Sequence, residues 1–165
     1  MITPDYVRVM AAYNAELNRR VYAAALRLDD AERRRDRGAF WKSIHGTLSH
    51  LVWGDRMWLS RFGAAEPPAA GIAASDQVND DFAALWDERQ GLDAVIGAWA
   101  DGLSQGDLEG DLAWRSGATQ RDMVRPRALC VVQIFNHQTH HRGQVHAMLT
   151  AAGESTGATD LPFVL

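Results

Sequence analysis

Apolar residues in this chain recur at helical rather than strand spacing along four separate stretches. Faces that repeat every three to four residues are buried by packing helix on helix. The first stretch runs through Tyr6, Val9, Met10, Tyr13, Leu17, Val21, Ala24 and Leu28. Thr3, Pro4 and Asp5 precede it in the order of a capping hydroxyl, a first-turn proline and a carboxylate matched to the helix dipole. The second stretch is Phe40, Ile44, Leu48, Leu51, Trp58 and Phe62, stopped by Gly63. The third, over residues 75–103, carries Val78, Phe82, Leu85, Trp86, Leu92, Ile96, Trp99 and Leu103, with Gly91 and Gly97 weakening it. The fourth has Pro126 in its first turn, runs to Ala152 and stops at Gly153.

The connections differ in kind. Residues 29–38 interleave Arg33, Arg34, Arg35 and Arg37 with Asp29, Asp30, Glu32 and Asp36, which makes a solvated link rather than an anion-binding patch. Glu66-Pro67-Pro68-Ala69-Ala70-Gly71 forbids helix and gives an extended crossover long enough to span a bundle. Residues 104–125 are rich in Gly, Asp and Ser. There Leu112-Ala113-Trp114 and Met123-Val124 flank Ser116-Gly117-Ala118 as the arms of a small hairpin. The tail, residues 156–165, ends in Leu161-Pro162-Phe163-Val164-Leu165 and is expected to pack back on the helices. Four helices without an internal repeat predict an all-α four-helix bundle, and 165 residues suit one domain over the whole of 1–165.

With 47% hydrophobic and 23% charged residues the chain has the balance of a globular protein. A formal charge of −4 and a pI near 5.8 leave no excess of cations for nucleic acid or an anionic membrane, so neither is an expected partner. The lone Cys130 cannot close an internal disulfide, no signal-like segment opens the chain, and a cytoplasmic location is expected.

The chemistry lies in the histidines. Three of six fall in Asn136-His137-Gln138-Thr139-His140-His141-Arg142-Gly143-Gln144. At about 100° per residue, with His137 at zero, Cys130 and Met148 lie at about 20°, His141 at about 40°, Ile134 and Ala152 at about 60° and Val145 at about 80°. His137 and His141 therefore share an apolar stripe, one turn apart, where both can reach one metal ion. His140, at about −60°, and His146, at about 180°, turn toward solvent or a neighbouring loop. A third ligand must come from another helix. His45 and His50 both flank the stripe of the second helix, about 140° apart, and periodicity does not choose between them. Ser43, Thr47 and Gly54 lie on the His50 side and leave room there. Cys130 stands about 10 Å along the axis from His137 and reads as a buried structural thiol. Trp53 and Trp58 are the better pocket candidates among six tryptophans, Gln144 is placed to support the metal site or to bond a neighbouring helix, and Asp55 and Arg142 read as an ion pair across helices.

His50-Leu51-Val52-Trp53-Gly54-Asp55 with Trp58-Leu59, followed by Asn136-His137 and His140-His141-Arg142-Gly143-Gln144, resembles the DinB/YfiT-like family of metalloenzymes. The resemblance extends over nearly the whole chain and implies an up-down-down-up path. It also implies one divalent transition metal held by three histidines, which map onto His50, His137 and His141. Nickel or zinc are the leading metals, with iron, manganese and cobalt as alternatives.

Three neutral imidazoles leave coordination positions for a ligand, as catalytic sites do. The resemblance makes a thiol-dependent S-transferase or isomerase acting on a small molecule the expected function. The resemblance adds a low-molecular-weight thiol such as mycothiol or bacillithiol, because relatives use one. A metal-dependent hydrolase and a non-catalytic stress-response or ligand-binding protein are the alternatives. A homodimer is the expected assembly.

Overall fold

The computed structural model describes residues 1–165 and is mostly helical, with one small two-stranded sheet. Helix α1 (Pro4–Leu26) starts where Thr3 Oγ1 accepts the Tyr6 amide proton. The charged link contains one short helix, α2 (Asp30–Arg34), capped by Asp29 and with no buried residue. Helix α3 (Ile44–Phe62) begins later than its apolar stripe implied. Ser43 caps it, and Phe40 lies outside, 76% exposed. Gly63 ends it in the left-handed conformation, φ 79°, where a side chain would be strained.

A second correction concerns the crossover. The third long helix, α4 (Phe82–Gly102), begins at the cap Asp81 and not near Ser75. Residues Ile72–Gln77 form a 3-10 turn packed on α3, and Ser75 is fully buried within it. The hairpin pairs β1 (Asp111–Ser116) with β2 (Arg121–Pro126) in antiparallel register, Trp114 opposite Met123. Pro126 is thus the last strand residue rather than the first turn of helix α5 (Arg127–Ala151). The tail returns to α1, as expected. Tyr13 donates its hydroxyl proton to the Thr159 carbonyl (2.5 Å), Arg27 pairs with Glu154 (2.6 Å), and the short helix α6 (Leu161–Val164) touches α1.

The four long helices pack with α1 against α4 and α5, and α3 against α4 and α5. Their shared core has 23 buried residues, including Val7, Tyr22, Leu48, Leu85, Ile134 and Leu149. Tyr22 stacks on Trp86, ring centroids 4.7 Å apart, which fastens α1 to α4. None of the three histidines belongs to this apolar cluster.

The expected Asp55–Arg142 ion pair is not formed. The partner of Asp55 is Arg89 of α4, at 2.6 Å, and both side chains are essentially inaccessible to solvent. Arg89 also pairs with Asp93 at 2.8 Å, and Asn18 of α1 donates to Asp93 at 3.0 Å. From α5, Gln138 donates to Asp55, while Arg142 donates to Gln138 Oε1 (3.0 Å) and Asn18 Oδ1 (3.5 Å). Burial pushes the Asp55 carboxyl up to about 6, against the pull of Arg89, so it remains ionised at neutral pH. All four long helices thereby contribute to one buried polar network.

Removing one partner of such a pair strands the other charge without water. Arg89→Met is expected to lower stability by about 3–5 kcal/mol in urea unfolding, and Asp55→Leu/Arg89→Met together to cost less than the single change. A double variant as unstable as Arg89→Met would contradict this account of the network.

Candidate metal centre

Of the sequence-selected residues, the fold brings His50, His137 and His141 together and leaves His45 out. One ring nitrogen from each of the three lies within 4.8 Å of the others, and His50 Nε2 is 3.1 Å from His137 Nε2. Three nitrogens bound at 2.0–2.1 Å to one ion would stand roughly 3–3.5 Å apart, so small side-chain rotations close the set. His45 instead donates from Nε2 to the Asn79 carbonyl (2.7 Å) and packs on Phe82. Its role is to fasten the crossover to α3.

Each ring has a reason for its pose. Serine 75 fixes one side of His50, with its Oγ 2.8 Å from Nδ1, which turns Nε2 to the centre. Trp41 and Trp53 flank the same ring, at centroid distances of 4.2 and 5.9 Å. Gln144 accepts from His141 Nδ1 at 2.7 Å, so Nε2 is the free, unprotonated nitrogen there. His137 fits because residue 54 is glycine. A Cβ at Gly54 would lie 2.6 Å from His137 Cε1, closer than any real contact. The small residue inferred to make room for an ion makes room for the ring itself. Ser75 escaped the sequence reading because the periodicity assigned it to the third helix. Its one signal is a hydroxyl among apolar and acidic neighbours.

The remaining histidines follow their wheel positions. His140 is exposed, although its ring meets that of His141 at 4.7 Å, and His146 bonds Thr156 of the tail at 2.6 Å. Cys130 is buried, with its thiol pushed up by desolvation. It lines a cleft of about 360 Å³ with Trp58, Trp114, Leu129 and Asn136, the last adjacent in sequence to His137. Trp53 lies against the crossover and donates to the Ala70 carbonyl at 2.7 Å.

Burial governs the charge of the site. It lowers His50 to about 3, with help from His137 and His141, and lowers His137 to about 4, with help from His141 and His140. His141 is lowered by burial against the opposing bond to Gln144. At neutral pH all three rings are uncharged, the form that binds metal. His137 Nδ1 is buried without a partner. Leaving that nitrogen unpaired is costly, and three converging imidazole donors suit a divalent transition ion.

A mostly helical fold that brings three histidine rings close enough to hold one metal ion defines the class of protein. The chain matches the DinB family over residues 1–165 and belongs to that family. No curated protein matches it.

Elemental analysis is expected to find metal sharply reduced in His50→Ala, His137→Ala and His141→Ala and retained in His45→Ala. Gly54→Ala is expected to lower metal content too, by displacing the His137 ring, with far-UV circular dichroism unchanged. Full occupancy in Gly54→Ala would refute the steric argument.

The pH dependence has a definite sign. The folded-state values of these histidines lie below the unfolded value of about 6.5. As pH falls through 6.5 the unfolded chain takes up protons first, and stability is lost. The metal-free protein should therefore show a lower urea midpoint at pH 5 than at pH 7, and bound metal, for whose ligands protons compete, should leave that difference at least as large.

Proposed function

We propose that this DinB-family chain is a metal-dependent enzyme. It holds one divalent transition ion, nickel or zinc foremost, through His50, His137 and His141, and carries out thiol-dependent transfer or isomerisation on a small molecule. The observation that carries the reading is the convergence of three uncharged imidazoles from two helices, two of them oriented by Ser75 and Gln144. Three protein ligands leave room for a further ligand, the pattern of catalytic rather than structural sites. When bound there, the cation favours the thiolate form of a small thiol.

The chain's own residues supply the surroundings. Gln144 keeps the His141 ring in its binding tautomer, Ser75 holds the His50 ring in its pose, and Trp41 and Trp53 shield His50 from water. The cleft lined by Trp58, Trp114 and Asn136, the residue before His137, offers an apolar seat for a substrate, at the lower end of ligand-pocket size. The proposed architecture is a four-helix bundle with an up-down-down-up path. Paired contacts support it: Asp55 with Arg89 and Phe62 with Trp99 run in the same sense along α3 and α4. Asn18 with Asp93 and Arg8 with Asp101 run in opposite senses along α1 and α4.

Cobalt-substituted protein is expected to change its visible absorption when small thiols are added, with the change and any transfer activity lost together in His137→Ala. A cobalt spectrum indifferent to thiols across neutral pH would remove the transfer reading and leave a hydrolytic or ligand-holding role.

A further inference from the structure

A second cavity lies on the other side of α5 from the histidines. Tyr13, Leu17 and Val21 of α1, Arg142 and His146 of α5, and Thr156 of the tail enclose about 160 Å³. That is about the size of an engineered cavity that accepts benzene. Exposed Thr139, Gly143 and Thr159 mark its open side.

Two observations point to a ligand. Arg142 is 4% exposed, yet Nε and Nη2 have no hydrogen-bond partner. Its Nη1 reaches only amide oxygens, those of Gln138 and Asn18, whereas Arg89 takes both carboxylates of the buried network. A buried guanidinium without an anion is costly, and its planar fork matches a carboxylate. The second observation is Gly143. A glycine inside a helix costs roughly 0.5–1 kcal/mol relative to alanine, and a Cβ there would meet nothing within 4 Å. Helix packing does not require a glycine at this position, and its missing side chain leaves the cavity open.

We propose that this cavity binds a small organic carboxylate, with the acid group on Arg142 and the apolar body against Tyr13, Leu17 and Val21. Hydroxyls of Thr139, Thr156 and Thr159 line the remaining wall. The site is separate from the histidine centre and does not need a metal. The tail that closes it is tied to α1 by Tyr13, Arg20 and Arg27, which bond Thr159, Ala158 and Ser155 carbonyls.

The test is calorimetric titration and amide NMR of the full chain, metal-free and metal-loaded, with benzoate, benzamide and inorganic phosphate. Benzoate is expected to bind saturably in both states and to shift amides around residues 13–21, 139–146 and 156–159. Benzamide, lacking the charge, should bind about tenfold weaker or worse, and phosphate, lacking the apolar body, should bind more weakly than benzoate. Gly143→Leu should abolish benzoate binding while helix content and metal content stay unchanged. The proposal is overturned by no saturable benzoate binding, by equal binding of benzamide, by phosphate binding more tightly than benzoate, or by benzoate binding undiminished in Gly143→Leu. Benzoate binding confined to the metal-loaded protein would put the ligand at the histidines and overturn it as well.

Discussion

The ion pair between Asp55 and Arg89 is the interaction on which the arrangement of the helices turns. Two charges with no access to water require that their partners arrive together, because either one alone would be stranded at a cost of several kcal/mol. Asp55 lies on α3 and Arg89 on α4, and Asn18, Gln138 and Arg142 join α1 and α5 to them. Apolar contacts tolerate sliding, whereas a hydrogen-bonded network of fixed donors and acceptors accepts one register. Gln138 follows His137 in the chain, and Arg142 follows His141. The network that fixes the axial position and rotation of α5 therefore also fixes where two of the three histidines point.

The third histidine depends on the crossover. Residues 63–81 join α3 to α4 by a long crossover rather than a tight turn. His45 fastens the crossover through Asn79, and Ser75 is carried to His50. The connection between two helices thus supplies an orienting contact of the histidine cluster. Gly54 acts from the other direction, by letting α3 approach α5 until the His137 ring fits against its backbone.

Much of this was legible in the sequence, and what was missed shares a cause. The capped α1, the α3 stop at Gly63, the hairpin and the His137–His141 pair all follow from local rules of period, cap and turn. Their outcomes depend on residues close in sequence. Arg89, Ser75 and the later start of α4 did not follow. Arg89 stands on the apolar stripe of α4, between Leu85 and Leu92, but its charge reads as belonging to solvent, and only the buried carboxylate 34 residues away satisfies it inside. The centre of the buried face of α5 was displaced for the same reason. Gln138 and Arg142 sit inside it beside Val131, Ile134, Val145 and Leu149, which leaves the histidines at its edge, where α3 meets them.

Helix α5 can be read as three adjacent stripes, each an i, i+4 pair about 100° from the last. His137 and His141 face α3, Gln138 and Arg142 enter the polar network, and Thr139 and Gly143 border the cavity under the tail. Because one rigid helix carries all three, its rotation cannot change at one stripe without changing at the others. Arg142 is the point of closest connection. It bonds Gln138 on the network side, lines the cavity, and is joined through the backbone to a histidine of the three-histidine cluster. A carboxylate on Arg142 would compete with Gln138 and Asn18 for guanidinium donors. Gln138 would then be held more by Asp55 alone, and the rotation of α5 that presents His137 and His141 to His50 would be set by a different balance of bonds. The cavity and the histidine centre thus share one turn of helix, on which Arg142 follows His141.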